Sequence, residues 1–177
     1  MQTVKRVIIT PNPVSDLYKV FSTYNYRIAT AESCTGGFVG GLLTSQPGIS
    51  SVYMGGFVTY TNQMKIDMLG VDPAAIEQYT EVSAHVAKQM ASGARVRTGA
   101  DVAISLTGVA GPGGGSEKTP VGTVYIGISS PAATYAVRYC MPDYLPRHEI
   151  RCRATLLAIT LATKEANNYY IFSQKNV

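Results

Sequence analysis

Cysteine and histidine are scarce in this chain of 177 residues. It has three cysteines and two histidines, and it contains no CxxC or HExxH motif. A small, odd number of cysteines argues against a disulfide framework and is typical of proteins from a reducing compartment. The cysteines and histidines are also too few and too far apart in the sequence to suggest a structural zinc site. We therefore expect neither disulfide bonds nor a bound metal ion.

Long apolar runs are missing as well, since none approaches the roughly 18 residues of a membrane span. The opening stretch, MQTVKRVIITPNPV, meets two prolines before a signal-peptide core could form. We therefore expect a cytoplasmic protein without a membrane partner. The length fits one compact domain, residues 1–177, in which residues 1–12 form an N-terminal extension.

Clustered positive charge is weak in this sequence. The formal net charge is +4, and the lysines and arginines are scattered along the chain. The basic residues that come closest together are Arg138, Arg147, Arg151 and Arg153. A nucleic-acid-binding protein usually concentrates its basic residues on one face, with aromatic residues between them. The sequence therefore favours a small anionic ligand over a nucleic acid.

The pattern of apolar residues predicts an alternating α/β protein. Predicted helices cover residues 14–24, 35–43, 63–69 with Asn62 as N-cap, about 84–97 with Ser83 as N-cap, and 147–169. Predicted strands cover residues 26–31, 52–60, 102–107, 123–129 and 134–140. Alternation in the first half favours parallel pairing, and the last two strands form a hairpin. We expect a three-layer α/β/α sandwich around a mixed, mostly parallel sheet of about five strands.

Ligands of such sheets bind at the carboxyl ends of the strands, where the stretch TAESCTGG falls. Ser33 lies there at a predicted strand-to-helix turn, and a serine in that place is most often a helix N-cap. The same geometry would expose its hydroxyl as a nucleophile, with the amides near Gly36 and Gly37 able to hold an oxyanion. Cys34 is a rival nucleophile, but without a histidine partner we interpret it as a small buried hydrophobe.

A serine nucleophile needs a base, and no GxSxG or SxxK pattern supplies one here. The best candidates are Tyr60 and Lys65 in the stretch YTNQMK, which follows the second predicted strand. A lysine near the positive end of a helix should have a lowered pKa, as a general base requires. The alternative is an ordinary surface lysine and a tyrosine at the end of a strand.

The glycine-rich loop 109–120 and the start of the last helix are candidate binding segments. The loop does not match a Walker A motif, because Glu117 rather than glycine precedes Lys118. Its amides could cradle a phosphate or a carboxamide, or the loop could be a mobile lid. Arg147 and Arg151 share a helix face, which would suit a phosphate, although a solvated face is the commoner arrangement.

Seven segments of the chain follow one another in a characteristic order: ATAESCTGG, GGFVTYTNQMK, LGV, VSAHVAKQMASGAR, GADVAISLTGVAGPGGG, PVGTVYIGI and RHEIRCRATLLAI. In this order they resemble the C-terminal domain of the CinA, or competence/damage-inducible, family of PncC-type nicotinamide-mononucleotide amidases. The resemblance implies hydrolysis of nicotinamide mononucleotide to nicotinate mononucleotide and ammonia, in pyridine-nucleotide salvage, without a metal or organic cofactor. Larger family members carry a further N-terminal domain, whose pyrophosphatase-type activity we do not carry over.

The resemblance also implies residue roles. Ser33, Tyr60 and Lys65 fall on the family's catalytic positions. The implied substrate-binding residues are Glu32, Thr35, Gly36 and Gly37 near the amide, Thr107 and Gly108 beside the ring or ribose, Gly111, and Arg147 near the phosphate. Two alternatives remain: a non-catalytic nucleotide-binding module, and an amidase for another small carboxamide. The apolar segment 167–172 could serve as an interface in a homo-oligomer.

Overall fold

The computed structural model describes residues 9–175, in which helices and strands alternate along the first half of the chain. The strands are β1 (Ile28–Glu32), β2 (Tyr53–Val58), β3 (Val102–Gly108), β4 (Thr123–Ser129) and β5 (Thr134–Cys140). The helices are α1 (Pro13–Tyr24), α2 (Phe38–Leu43), α3 (Asn62–Leu69), α4 (Pro73–Tyr79), α5 (Ala84–Thr98) and α6 (Arg147–Lys175). A single 3₁₀ turn, Ile49–Ser51, precedes β2.

The five strands form one mixed sheet in the order β2-β1-β3-β4-β5. Strand β1 pairs in parallel with both β2 and β3, whereas β4 pairs antiparallel with β3 and with β5. Glu32 at the end of β1 lies opposite Val58 on β2 and Leu106 on β3. The three parallel strands therefore end at one edge of the sheet, and the polar segments that follow them meet there.

Helices cover both faces of the sheet, which confirms the predicted α/β/α sandwich. On one face α1, α2 and α6 pack through residues such as Phe21, Leu43 and Ile159 against β1, β3 and β4. On the other face Met90 and Ala94 of α5 pack against the alanines of β1 and β3. A side chain on Gly127 would collide with the carbonyl of Ala87, so a glycine is required where α5 crosses β4.

Several predicted boundaries are wrong for local reasons. Thr61 rather than Asn62 is the N-cap of α3, and its Oγ1 accepts the N–H of Met64. Helix α2 starts at Phe38 because Gly36 and Gly37 take up left-handed backbone conformations before it. Helix α4, which starts with an Asp72 N-cap and Pro73, is missing from the prediction. Helix α6 ends six residues later than predicted, at Lys175.

The bounds of β4 and β5 agree with the prediction at both ends, and Ser83 is the N-cap of α5 as predicted. Most of the predicted N-terminal extension, residues 1–8, lies outside the described residues. Within residues 9–175 no helix is long and apolar enough to cross a membrane, and no group of three potential metal ligands occurs.

Candidate active site

A cavity of about 260 Å³ opens at the edge where β1, β2 and β3 end. It collects residues from the turn after β1, the segment after β2, the loop before α5, the end of β3 with its glycine loop, and the start of α6. These residues are Ser33, Cys34, Tyr60, Lys65, Glu81, Val82, Thr107, Gly108, Val109, Ala110, Gly113, Gly114 and Arg147. All three predicted catalytic residues are therefore at one site.

Ser33 and Lys65 form a hydrogen-bonded pair in this cavity. The N–H of Ser33 donates to the carbonyl of Leu106, so the chain leaves the sheet in a fixed direction. Lys65 Nζ is 3.2 Å from Ser33 Oγ and donates to the carbonyl of Thr59 at 3.1 Å. The side chain of Lys65 is only 1% exposed, and Ser33 is 8% exposed. The two groups are within the distance that proton transfer requires.

Burial lowers the pKa of Lys65 from its ordinary value, because a charged ammonium loses its hydration inside the protein. The nearby carboxylate of Glu81 opposes this shift, as does Cys34. Among the described residues the only ion pair joins Arg153 to Glu149, so Lys65 has no carboxylate within ion-pairing distance. The predicted direction of the pKa shift is confirmed, but its cause is burial rather than the helix end.

The alternative view of Ser33 as a helix cap is wrong. The N-cap of α2 is Gly37, and no side chain caps that helix from the N-cap position. The amides at the helix start are instead satisfied by Glu32, whose carboxylate accepts the N–H groups of Gly37, Val39 and Gly40 at 2.9–3.1 Å. The hydroxyl of Ser33 is thus left for Lys65.

Glu32 lies beside the site without lining the cavity. Its carboxylate is 2% exposed and bonded to three backbone amides, which shapes the turn that carries Ser33. Two of the amides predicted to hold an oxyanion are also engaged, because Gly37 donates to Glu32 and Gly36 donates to the carbonyl of Ser33. The N–H of Cys34 donates to no other residue within 9–175, and Cys34 does line the cavity.

Thr35 and Gly111 do not line the cavity, and neither do Gly36 and Gly37. The carbonyl oxygens of Thr35 and Gly111 instead accept hydrogen bonds from arginine side chains. The carbonyl of Thr35 accepts a hydrogen bond from Arg151 at 2.6 Å, and that of Gly111 accepts one from Arg147 at 2.7 Å. Thr107 and Gly108 do line the cavity. Together with Glu32, five predicted binding residues therefore lie outside the wall of the cavity.

Tyr60 is hydrogen-bonded to Arg147 rather than to Ser33 or Lys65. The guanidinium of Arg147 donates to the hydroxyl of Tyr60 at 3.2 Å and to Gly111. Within the described residues it has no carboxylate partner, which leaves its positive charge free for an anion. Arg151 does not share this role, since its guanidinium lies 3.9 Å over the ring of Phe38 and outside the cavity lining.

Cys34 is unsuited to be the nucleophile. Its side chain is buried, and burial raises the pKa of its thiol to about 12, so it is protonated at neutral pH. Thiol nucleophiles act as thiolates. The interpretation of Cys34 as a small buried hydrophobe is confirmed.

Glu81 is a charged residue of the cavity wall whose place there the sequence does not predict. It supplies the only carboxylate of the cavity wall as far as the described residues go. In the sequence it stands two positions before the Ser83 N-cap of α5, where an acidic residue is readily explained by the helix dipole. Its proximity to Lys65 depends on how α3 and α5 pack, which no local pattern predicts.

The fold and the cavity together define a class: an α/β/α domain that presents a buried serine–lysine pair beside an unpaired arginine. The chain belongs to the CinA C-terminal domain family, whose family model matches residues 13–166. A CinA-like protein of Chlorobaculum tepidum is 55% identical over 144 residues, 78% of this chain and 34% of the relative. One of Mycolicibacterium paratuberculosis is 49% identical over 138 residues, 76% of this chain and 32% of the relative. The chain thus spans about a third of the length of these relatives.

Solved structures show the same fold. The competence/damage inducible protein CihA of Agrobacterium tumefaciens is 36% identical with a TM-score of 0.83, and the match covers 92% of this chain and 99% of that one. A CinA superfamily protein of Escherichia coli is 34% identical with a TM-score of 0.82, covering 92% and 94% of the two chains.

Proposed function

We propose that this protein is a serine amidohydrolase that converts nicotinamide mononucleotide to nicotinate mononucleotide and ammonia. The observation that carries the proposal is the contact between Ser33 and Lys65. Lys65 is 1% exposed and has no ion-pair partner among the described residues. Burying such a side chain lowers the stability of the fold. The place of Lys65 at 3.2 Å from a serine hydroxyl in a cavity supports a role as general base.

In this mechanism Lys65 reacts as a neutral amine. Such an amine can donate one hydrogen to the carbonyl of Thr59 and direct its lone pair to the hydroxyl of Ser33, because Nζ contacts both oxygens. The lone pair takes the hydroxyl proton as Ser33 Oγ bonds to the carboxamide carbon of the substrate. The N–H of Cys34, the residue after the nucleophile, is suited to hold the oxyanion that forms.

The tetrahedral intermediate then collapses with loss of ammonia. The carbon–nitrogen bond breaks, the proton held by Lys65 moves to the leaving nitrogen, and an acyl ester on Ser33 remains. Water then hydrolyses the ester by the same steps. Lys65 accepts a proton from the water molecule, the resulting hydroxide attacks the ester carbon, and Ser33 leaves as Lys65 returns the proton to its oxygen. The net reaction consumes one water and needs no metal or organic cofactor.

Arg147 suits the other end of the substrate. Its guanidinium is held by Gly111 and Tyr60, and its charge is not neutralised by a described carboxylate. Such a fixed planar cation is well adapted to a phosphate. Tyr60 is 60% exposed, and its hydroxyl already accepts a hydrogen bond from Arg147, so it is placed to assist phosphate binding rather than proton transfer from Ser33.

A panel of carboxamides, followed by ammonia release, tests this function. We expect nicotinamide mononucleotide to exceed free nicotinamide in kcat/KM by at least about 100-fold, because the phosphate contributes binding energy that only the nucleotide has. Lys65→Met should lower kcat/KM by at least about 1,000-fold. The matched control, Lys164→Met on the exposed face of α6, should change it by less than about twofold.

The proposal fails if the wild-type protein binds the nucleotide in calorimetry but releases no ammonia, and if Lys65→Met binds it equally well. That result would favour the nucleotide-binding module. Preferred hydrolysis of another small carboxamide would keep the chemistry and replace the substrate.

A further inference from the structure

Three residues of the cavity wall are ionisable, two of them basic and one acidic. Lys65 lies at the reacting serine, Arg147 lies at the start of α6, and Glu81 comes from the loop before α5. The mechanism above uses Lys65 as a neutral amine and Arg147 as a cation, and it assigns no role to Glu81. A carboxylate here also works against the mechanism, because it favours the charged form of Lys65, which cannot act as a base.

The backbone around Glu81 is strained and firmly held. Thr80 has φ 66° and ψ 163°, a region that residues other than glycine rarely adopt. Such a conformation is unfavourable and persists only where the surroundings enforce it. Strain of this kind is common beside functional sites, so it points to the adjoining carboxylate as the group that must be positioned.

Three hydrogen bonds hold this segment. The N–H of Thr80 donates to the carbonyl of Ile76 at 2.9 Å, and the hydroxyl of Ser83 donates to the carbonyl of Thr80 at 2.9 Å. The hydroxyl of Thr107, at the end of β3, donates to the carbonyl of Glu81 at 2.7 Å. The segment that carries Glu81 is therefore tied to α4, to α5 and to the central sheet, and Glu81 itself lines the cavity.

We propose that Glu81 recognises a positive charge on the substrate, so that the site selects a carboxamide carried by a cationic, N-substituted pyridinium ring. This inference rests on the proposed function and assigns a residue to the charge of the substrate ring, which the proposed mechanism leaves without a partner. A substrate with a reacting amide, a cationic ring and a phosphate would place the amide at Ser33 and Lys65, the charge of the ring against Glu81, and the phosphate against Arg147. The same compound with a reduced, uncharged dihydropyridine ring would leave Glu81 without a partner.

The test is binding rather than turnover, since reduction of the ring also changes how readily the amide reacts. Calorimetry on Ser33→Ala protein, which cannot form the acyl ester, gives Kd values for nicotinamide mononucleotide and for its 1,4-dihydro form. Both ligands have the same phosphate, ribose and carboxamide. We expect the oxidised ligand to bind about tenfold more tightly, a difference of about 1.4 kcal/mol.

Adding Glu81→Gln should weaken binding of the oxidised ligand about five- to tenfold and change binding of the reduced ligand less than about twofold. The matched control is Glu77→Gln, the same change at an exposed position of α4 outside the cavity, and it should leave both values unchanged.

Equal weakening of both ligands by Glu81→Gln would overturn the inference, because it would assign Glu81 to a group that they share, such as a ribose hydroxyl. No effect on either ligand would overturn it too. In both cases the oxidised ligand still binds, so neither result counts against the proposed function, which ammonia release by the wild type tests. If the Ser33→Ala protein binds neither ligand, the proposed function fails and this inference fails with it.

Discussion

The side chain of Lys65 shows how one residue's environment can carry a functional argument. A lysine usually keeps its ammonium in water, and a fully buried one is rare unless it is paired. Here the side chain is 1% exposed and its polar contacts are the hydroxyl of Ser33 and the carbonyl of Thr59. Neither contact carries a formal charge, so the environment favours the neutral amine, which is the form that can accept a proton.

This residue gives a stability prediction with a definite sign. Burial places the folded-state pKa of Lys65 below its ordinary value of 10.5. Between these two pKa values the unfolded chain binds more protons than the folded protein, so stability increases as pH rises. Lys65→Met removes this dependence. We expect the free energy of unfolding of the wild type to rise, relative to that of Lys65→Met, as pH increases from neutral towards 10.5.

Urea denaturation at several pH values measures this difference, and each pH unit within the window adds at most about 1.4 kcal/mol. Lys164→Met, which removes an exposed lysine, should follow the wild type at every pH. A difference between wild type and Lys65→Met that stays constant with pH, or that shrinks as pH rises, would show that burial does not depress this pKa.

The carboxylate of Glu32 holds the start of helix α2 and the turn before it through hydrogen bonds. Glu32 ends β1 and accepts three amides from Gly37, Val39 and Gly40, at the N-terminus of a helix of only six residues. A negative charge is favoured there by the orphan amides and by the helix dipole. The turn that carries Ser33 is therefore anchored from behind by a group that does not itself line the cavity.

We expect Glu32→Gln to lower the free energy of unfolding by about 1–3 kcal/mol, because a neutral amide replaces a buried carboxylate that accepts three charge-assisted hydrogen bonds. The activity should fall as well, since the Ser33 hydroxyl loses its fixed position. Glu149→Gln is the matched control. It removes a carboxylate whose side chain is 37% exposed and pairs with Arg153 within α6, and it should cost less than about 0.5 kcal/mol. Chemical denaturation that gives the two variants equal stability would contradict this role of Glu32.

At the scale of the elements, the sequence predicts what local chemistry determines. Strands β4 and β5 are bounded by clear turn residues, and their predicted limits agree with the structure. The sequence does not predict helix α4, because a segment of seven residues is too short to show a helical period. Asp72 and Pro73 are nevertheless a valid start signal for a helix. The predicted N-cap of α3, Asn62, is one residue away from the observed N-cap, Thr61, because both residue types are good caps.

At the scale of the whole molecule, sheet order creates the site. Strand β1 lies between β2 and β3 in parallel register, so the segments that follow these three strands meet at one edge. The pairing of Ser33 with Lys65 could be expected from this rule, because each follows a neighbouring parallel strand. The pairings of Tyr60 with Arg147 and of Glu81 with the cavity could not, since they depend on how α5 and α6 pack on the sheet.

The central claim is that Ser33 and Lys65, which lie 32 positions apart in the chain, act as one catalytic unit. A double-mutant cycle on ammonia release from nicotinamide mononucleotide tests it most directly, with Cys34→Ala as the control for the rival nucleophile. We predict that Ser33→Ala and Lys65→Met each lower kcat/KM by at least about 1,000-fold, and that the double variant is no slower than the slower single one. Cys34→Ala should keep activity within about fivefold of the wild type. The account would be contradicted if the two single-variant losses in kcat/KM multiplied in the double variant. It would also be contradicted if the Ser33→Ala protein retained more than a few per cent of wild-type kcat.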